Sequence, residues 1–494
     1  MRKMKKTSKI FLGVLFVSAT LLTSCTEDYL DTIPTDQVSS EAVVATTGNA
    51  MTALNGIHRA LYVRYGSQGR GGAGFFNLNM DELGDDQVFN ANNWATSYRW
   101  VLNSSPTDSY NTAHWAMFYQ WIANANVLIN GIDGAEGSQE ERDIIKGQAL
   151  VYRAYCHYQL VQTWAEAYKK GGGNTQLGVP LKLDNSTDPI ARATVEEVYT
   201  QIQADLSNAI SLLDGYSRPN KSHFNASVAK GLKARVALTQ GDWDTAATYA
   251  NEARQGYTLM NSATYALGFR SNLDAISEFM WASHIQEDQT NYFGNLGAYL
   301  SRNYSSSAIR ANPRSISKLL YNMISDTDVR KTLFDPTGQH VGLEIVSSAK
   351  RFPYTNQKFL AESTSVSLMD VPMMRAAEMY LIEAEALARK GSSNAAQVLY
   401  DLEVTRDPAY VLSTNTGQAL IDEILVQRRI ELWGEGFRWL DLKRLNLPLD
   451  RTGSNHTSSI TGGVMSVAVG DNRWVWAIPQ DEINANPLID QNPI

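Results

Sequence analysis

A run of four carboxylates within six residues is the first place in the sequence where side chains could do chemistry. The run reads Asp81-Glu82-Leu83-Gly84-Asp85-Asp86. Paired carboxylates can hydrolyse a glycosidic bond, one acting as the acid and the other as the nucleophile or base. A dense set of oxygen ligands can also bind calcium, although the spacing of an EF-hand loop is missing here. We interpret the run as a turn-forming, solvated or hydrogen-bonding loop, with hydrolysis and a structural calcium ion as the alternatives.

The motifs of common catalytic sites are missing from the rest of the sequence. It contains no HExxH pair, no P-loop, no GxGxxG after a strand and no GxSxG elbow. The seven histidines are scattered, and no two of them have the spacing of metal ligands. We therefore predict a protein that is not an enzyme and that carries no cofactor.

Aromatic and amide side chains are concentrated in two stretches, residues 92–100 and 291–304. Sugars present apolar C–H faces rimmed by hydroxyls, so a protein that binds them without reacting needs flat aromatic rings flanked by hydrogen-bonding groups. The alternative is that these rings are packing anchors. Trp94 is the strongest candidate, because polar residues flank it. The predicted ligand-binding residues are Asp81, Asn92, Asn93, Trp94, Tyr98, Trp100, Tyr292 and Tyr299.

The amino-terminal residues have the pattern of a lipoprotein signal peptide. Basic residues precede an apolar stretch, 10–22, that is too short to span a bilayer and that ends in Leu22-Thr23-Ser24-Cys25. We predict a signal peptide over 1–24 and lipidation of Cys25, whose acyl chains together would hold the protein on a membrane. The alternative is an ordinary secretory signal with a chance cysteine. Residues 25–40 are predicted to form a flexible tether.

The composition argues against nucleic-acid binding, a further membrane span and an internal disulfide. The net charge of −8 and the lack of a basic run with interleaved aromatics argue against nucleic acid as a partner. No second stretch of about 20 apolar residues is present. There are two cysteines, so lipidation of Cys25 leaves Cys156 alone, and we predict a buried, inert thiol and no internal disulfide.

Helical periodicity dominates the chain after residue 40. The long intervening stretches 66–108, 171–193, 257–313 and 326–369 are predicted to be loops, with short strands at 278–282 and 474–478. The predicted helices are 42–65, 111–131, 139–168, 194–213, 225–240, 243–255, 373–390, 394–403 and 417–433.

Two predicted helix pairs repeat one another. In each, a helix rich in small residues ends at a glycine, Gly241 or Gly391, and an alanine lies five residues later in the next helix. This pattern is typical of tetratricopeptide-like stacked hairpins, with unrelated helical hairpins as the alternative. The sequence therefore predicts an all-α fold with a tetratricopeptide-like helix-pair scaffold, an α-α superhelix, and a loop-rich second region that carries the ligand site.

Two segments near the carboxyl terminus, 427–444 and 476–487, have the most specific sequence. Charged residues in the first segment lie among aromatic residues and must be paired if they are buried. Those well placed to pair are Arg429, Glu431, Glu435, Arg438 and Asp441. Both segments closely resemble the signatures of the RagB/SusD family of outer-membrane nutrient-binding lipoproteins. Further matches are Cys25 with 28–31 and Pro34, 80–82, 148–149, 152–155, 180–181 and 374–381.

The resemblance covers the chain from Cys25 onward and implies a binding function. Family members capture oligosaccharides, or in some cases peptides, at the cell surface, and lie as a lid on a SusC-like TonB-dependent outer-membrane barrel that imports the ligand. It implies a lipid-anchored, surface-facing protein of the outer membrane. It also implies an amino-terminal region over 41–256 and a carboxy-terminal region over 257–494, with ligand contacts around 81–100 and after Trp281. A peptide ligand is the alternative, and a glycoside hydrolase a remote one.

Overall fold

The computed structural model describes residues 39–63, 65, 70–290 and 293–494. The predicted signal peptide, Cys25 and nearly all of the predicted tether lie outside the described residues, as does Tyr292. Within the described part, none of the helices is both long enough and apolar enough to cross a membrane.

Helices make up most of the regular structure. Their bounds are Ser40–Val43 (α1), Thr47–Ala60 (α2), Gly72–Glu82 (α3), Val101–Ser104 (α4), Ser109–Gly131 (α5), Gln139–Trp164 (α6), Val195–Leu212 (α7), Ala226–Gln240 (α8), Trp243–Ala253 (α9), Ser262–Ala266 (α10), Gly297–Leu300 (α11), Ser307–Ala311 (α12), Lys318–Tyr321 (α13), Ala376–Arg389 (α14), Ala395–Glu403 (α15), Gly417–Glu431 (α16), Arg438–Arg444 (α17) and Gln480–Ala485 (α18).

The strands are short and lie between the helices. They are Gln87–Val88 (β1), Leu177–Pro180 (β2), Arg192–Thr194 (β3), Phe279–Ser283 (β4), Ser315–Ile316 (β5), Phe334–Asp335 (β6), Thr355–Asn356 (β7), Val371–Arg375 (β8), Leu449–Asp450 (β9) and Ser466–Val467 (β10). Four of them form an antiparallel sheet in the order β1-β5-β7-β6, and the others pair as β2–β3, β4–β8 and β9–β10.

Local sequence signals explain where the long helices begin. Ser138 and Thr194 form capping boxes with Glu141 and Glu197, so side chains satisfy the first free backbone N–H groups of α6 and α7. All nine predicted helices are confirmed, with two adjustments. The helix predicted over 42–65 is divided into α1 and α2, and the one predicted to begin at 373 begins at Ala376, because 371–375 is strand β8.

The repeated hairpins are confirmed as neighbours in the scaffold. Gly241 and Gly391 adopt φ of 72° and 73°, a left-handed conformation that ends α8 and α14 and that glycine tolerates best. Helix α9 packs on α14, and successive helices from α5 to α9 pack on one another. The predicted all-α fold with a tetratricopeptide-like scaffold is therefore confirmed.

Two predictions about the loop-rich region were wrong. The predicted loop 66–108 contains helix α3, because its glycines allow close packing rather than flexibility: a Cβ on Gly72 would lie 2.0 Å from the Leu61 carbonyl oxygen. The predicted strand 474–478 pairs with none of the strands in the described residues. Instead, the Trp476 and Ala477 N–H groups donate to the carbonyls of Thr163 and Asn103.

One apolar core continues through both predicted regions, from Ala50 to Ile489. A boundary near residue 256 therefore does not separate two cores, although the division into 41–256 and 257–494 stays a prediction. Contacts across it include the buried ion pair between Arg235 of α8 and Glu378 of α14, with N···O of 2.7 Å.

A buried ionic cluster surrounds Glu431 at the end of α16. The Glu431 carboxylate accepts hydrogen bonds from Arg330, Arg375 and Arg406, at N···O distances between 2.8 and 3.2 Å. Charges removed from water this completely are tolerated only when every one has partners. The members of the ionic cluster are Glu278, Asp328, Arg330, Lys358, Arg375, Glu403, Arg406, Glu431 and Glu435.

The ionic cluster joins distant parts of the chain. Glu278 precedes β4, Arg375 ends β8, and Glu435 follows α16, so the cluster holds the strand pair β4–β8 against the carboxy-terminal helices. Burial raises the pKa of the Glu403 carboxyl to about 7, against the opposing field of Arg330. That shift is consistent with a cluster in which carboxyls outnumber cations.

Glu431→Gln keeps the size of the side chain but removes the charge that three guanidinium groups share. We expect the free energy of unfolding to fall by about 3–5 kcal/mol, because the cations stay buried without their counter-charge. Urea unfolding followed by tryptophan fluorescence measures this loss.

Asp133→Asn is the matched control, since Asp133 pairs with Lys146 at the surface. Its loss is expected to stay below about 1 kcal/mol. Equal losses for the two variants would contradict a special role for the ionic cluster.

Candidate functional site

The acidic run, residues 81–86, connects the end of α3 to Arg314 and to the carboxy-terminal segment through ion pairs. Glu82 pairs with Arg314 at 2.7 Å and accepts from Ser97 Oγ at 2.5 Å. Asp85 pairs with Arg438 at 2.5 Å, and Asp86 pairs with Arg429 at 2.6 Å. These carboxylates already have cationic partners, so the prediction of a hydrogen-bonded loop holds in part: the run is hydrogen-bonded but not solvated.

Asp81 is buried and faces backbone rather than solvent. Its carboxylate accepts from the N–H groups of Gly436 at 2.9 Å and Arg438 at 3.1 Å. Burial raises the pKa of Asp81 to about 7, although these two hydrogen bonds oppose the shift. Gly436 must be glycine here, because its φ is 90° and a Cβ would lie 2.6 Å from that of Asn77. The predicted ligand residue Asp81 therefore anchors the Gly434–Gly436 turn instead.

The surroundings of Asp81 leave no room for a sugar ring. The cavity that Asp81 and Asp86 line has a volume of about 10 Å³. A single water molecule needs about that much space. No group of three or more described His, Cys, Asp or Glu residues is arranged to hold a metal ion.

Trp94 is the exposed aromatic ring of the predicted loop. Its side chain is 42% exposed, and Asn92 and Asn93 beside it are exposed as well. Trp94 adopts φ of 53°, a left-handed conformation that is costly for a bulky residue and that persists only where the surroundings hold it. A large apolar ring held outward in this way is available to a ligand.

Asn312 holds the Trp94 loop from beneath. Its side-chain oxygen accepts from the N–H groups of Asn90 and Ala91, and its Nδ2 donates to the carbonyls of Ala91 and Asn93. Arg99 adds a further hydrogen bond of 2.9 Å to Asn92 Oδ1. The loop is thus positioned by Asn312 from a distant part of the chain and by Arg99 from the loop itself.

Further aromatic rings support the indole of Trp94. Phe293 and Tyr299 each make an edge-to-face contact with it, with ring centroids 6.0 Å apart. Phe75 packs on the other side of Tyr299 at 5.1 Å. We call the group Asn92, Asn93, Trp94, Phe293 and Tyr299 the Trp94 surface. It offers an aromatic face next to amide donors and acceptors.

Two predicted ligand residues on the same loop are interior residues. Tyr98 stacks on Phe89, with ring centroids 4.4 Å apart, and its hydroxyl bonds to His456. Trp100 is buried and donates from Nε1 to the Leu83 carbonyl at 2.8 Å. Burial of these two side chains, and of Asp81, contradicts the prediction that they contact a ligand. Tyr299 is nearly buried and supports Trp94.

The sequence reasoning missed the residues that position the surface. Phe75 was overlooked because residues 70–74 looked like a glycine-rich loop, and the Phe75-Phe76 pair was the signal that a packed helix follows. Asn312 carries no local signal, because its partners lie about 220 residues earlier in the chain.

The pair of Asp85 and Arg438 predicts a response to acid. Burial opposes ionisation of Asp85, but the Arg438 guanidinium outweighs it and holds the pKa at about 2. An unfolded aspartate has a pKa of about 3.9, so the pair contributes about 2 kcal/mol of stability above pH 4 that is lost as pH falls towards 2. We expect Arg438→Met to make the urea midpoint less sensitive to pH between 4 and 2.

Arg473→Met, which removes the partner of the more exposed Asp471, serves as the control for this measurement. Because Arg473 lowers the pKa of the more exposed Asp471 only at the surface, the control is expected to lose a much smaller part of the acid sensitivity than Arg438→Met. A steeper acid response in Arg438→Met would refute the role given to the pair.

Comparison with known proteins extends the sequence resemblance. Residues 28–238 match a SusD-like family described as starch-binding and associating with the outer membrane, and residues 343–494 match the SusD family. SusD-like protein P38 of Formosa agariphila is 22% identical over 548 aligned positions, which cover 100% of this chain and 99% of that protein.

Solved structures share the fold. A SusD-like carbohydrate binding protein from Bacteroides vulgatus has a TM-score of 0.80 at 24% identity, covering 90% of this chain and 97% of its own. Surface glycan-binding protein A from Bacteroides thetaiotaomicron, in complex with laminarihexaose, has a TM-score of 0.69 at 18% identity, covering 90% and 99%. On the family matches at both ends, the full-length relative and the shared fold, this chain belongs to the SusD/RagB family.

Proposed function

We propose that the chain is a non-catalytic binding protein that captures oligosaccharides on the Trp94 surface. The observation that carries this proposal is the exposed indole of Trp94, held in a left-handed conformation and flanked by two exposed amides. An aromatic face can stack on the C–H face of a sugar, and the amides can bond to its hydroxyls. The carbohydrate and glycan binding proteins that share the fold support this choice of ligand.

A hydrolytic role for the acidic run has little support in the geometry. Asp81 points its carboxylate at two backbone N–H groups, and the other three carboxylates pair with arginines. A glycosidase needs a pair of carboxyl groups on either side of a bound sugar. The cavity of about 10 Å³ beside Asp81 cannot hold one.

An oligopeptide is the alternative ligand. Peptide capture commonly uses exposed strand edges or charged grooves, whereas the Trp94 surface offers rings and amides. Binding of a peptide library together with failure of every oligosaccharide would replace the proposal.

Trp94→Ala tests the proposed site. We expect it to weaken oligosaccharide binding at least tenfold, because a central aromatic anchor contributes about 1.4 kcal/mol or more. Trp94→Phe keeps a ring and is expected to retain part of the affinity. Isothermal titration calorimetry and affinity gels, with a panel including laminarihexaose and maltohexaose, measure the change.

Trp243→Ala is the matched control, because Trp243 is half-buried on the helical scaffold, under Lys170 and Arg389. Its affinity is expected to equal that of the unmodified protein. The proposal fails if no oligosaccharide binds, or if Trp94→Ala binds as tightly as the control.

We further propose that Cys25 carries lipid and that the protein hands its ligand to a SusC-like TonB-dependent barrel at the cell surface. The residues Leu22-Thr23-Ser24-Cys25 and the family description, associating with the outer membrane, support the anchor. Tethering beside a transporter would raise the effective concentration of a weakly bound ligand.

Cys25→Ser tests the anchor without touching the described fold. We expect the variant to lose metabolic labelling by palmitate and to leave the membrane fraction, because no acyl chain remains to bury. Cys156→Ser is the matched control and should still be labelled. Membrane retention of Cys25→Ser would contradict the anchor, and failure to co-purify with a barrel would contradict the partner.

A further inference from the structure

A large cavity lies at the carboxyl end of α6, and it shares no residue with the Trp94 surface. Its volume is about 820 Å³, within the range of small-molecule sites. The cavity is lined by residues 166–169 after α6, residues 176–177, Arg192, the end of α17 with residues 446–447, and residues within 469–475 and 491–493. The proposed binding of oligosaccharides on the Trp94 surface does not involve this cavity.

Two buried cations line the cavity without a carboxylate partner in the described part of the chain. Lys443 Nζ donates to the carbonyls of Gln162 and Ala165, at 2.6 and 2.7 Å. Arg192 donates only to backbone carbonyls, among them those of Gly178 and Trp164. Both side chains are about nine-tenths buried. The arginines of the ionic cluster meet carboxylates instead, although Arg451 is also buried against backbone carbonyls alone.

The end of α6 neutralises only part of this charge. Lys443 and Arg192 bond to its last carbonyls, which together act as about half a negative charge. When Lys443 is protonated, the two positive charges therefore exceed the partial negative charge of the helix end by more than one unit. The other charged residues of the wall have partners of their own: Glu166 with Lys169, Arg444 with Glu385 and Asp441, and Asp471 with Arg473.

The remaining wall is mixed, with amide side chains beside apolar ones. Trp474 and Tyr168 line it, and the rim carries the exposed side chains of Leu177, Leu447 and Val469. An anion with an apolar face would match both parts of the wall. A compact inorganic ion would use the cations alone.

We propose that this cavity binds an anionic ligand of sugar size, whose carboxylate or sulfate group is held between Arg192 and Lys443. A uronic acid and a sulfated sugar both supply that chemistry. The cavity shares no residue with the Trp94 surface. A negative binding result for the cavity would therefore leave the proposed function of the Trp94 surface untouched, and the reverse also holds.

The protonation state of Lys443 gives the site a pH dependence. Burial lowers the pKa of Lys443 to about 7, and the nearby Glu166 opposes the shift. A bound anion favours the charged ammonium, so affinity rises as pH falls from 8 to 6. Carboxylates and guanidinium groups ordinarily keep their charge over that range. The other charged residues that line the cavity are Glu166, Lys169, Arg192, Arg444 and Asp471.

Ligand-observed NMR titration of the full mature chain at constant ionic strength tests the site, with D-glucuronate, D-glucose 6-sulfate and neutral D-glucose as probes. We expect saturable binding of at least one anionic sugar, tighter at pH 6 than at pH 8, and none of D-glucose at this site. Binding of glucuronate alone identifies a carboxylate ligand, and binding of the sulfate alone identifies a sulfate ligand.

Leu447→Glu and Leu447→Lys form a matched pair that spares the buried cations, because Leu447 is 41% exposed at the rim. The glutamate is expected to weaken anion binding about threefold to fivefold, and the lysine to strengthen it by a similar factor. Lys443→Met should weaken it tenfold or more. Trp94→Ala should leave this binding unchanged.

The proposal is overturned if neither anionic sugar binds up to about 20 mM, or if D-glucose binds equally well. It is also overturned if the two Leu447 variants fail to shift affinity in opposite directions. An acidic dipeptide serves as a further probe, and its binding in place of both sugars would assign the cavity to a protein partner and refute a sugar site.

Discussion

The requirement that buried charges be paired governs how this fold is assembled. Glu431 lies among Arg330, Arg375 and Arg406, which come from a 3₁₀ turn, a strand end and the segment after α15. None of these elements can move without leaving a charge in the interior unpaired, at a cost of several kcal/mol. The same rule applies at the acidic run, where Asp85 and Asp86 meet Arg438 and Arg429. The irregular region therefore has a defined position on the helical scaffold although it contains little regular structure.

Much of the scaffold could be predicted, because helices carry their own local signals. Caps such as Thr194 and helix-ending glycines such as Gly241 act within a few residues of the boundary that they set. Helix α3 was missed because its glycines serve contacts with remote backbone, at Leu61, which no local pattern shows. The charged residues of 427–444 were expected to pair, and they do, but most of their partners lie far away in the sequence.

Prediction of the candidate site was limited in the same way, because contacts with distant residues decide which single side chains are buried. Trp94 and Trp100 are six residues apart on one loop, yet the first is exposed and the second is buried. Tertiary contacts distinguish the two residues. Asn312 holds the backbone beside Trp94 at the surface, whereas Trp100 donates a hydrogen bond to the Leu83 carbonyl and packs against Trp474. Residue type could indicate that the loop carries aromatic and amide groups. The polar neighbours of Trp94 indicated its exposure, but the local sequence did not show that Trp100 contacts Leu83 and Trp474.

The carboxyl end of α6 has a consequence for the time course of folding. Asn492 donates to the Trp164 carbonyl across 328 residues, and Lys443 and Trp476 cover the neighbouring carbonyls. A ribosome adding about 5–20 residues per second needs about 15–65 s to make the intervening chain. Until then, the last carbonyls of the longest helix in the described structure lack one or more of these partners, although Arg192 can bond to the Trp164 carbonyl earlier. The nascent protein thus stays incomplete at this helix end until residue 492 has been made, which keeps it open to transport machinery and also to proteases.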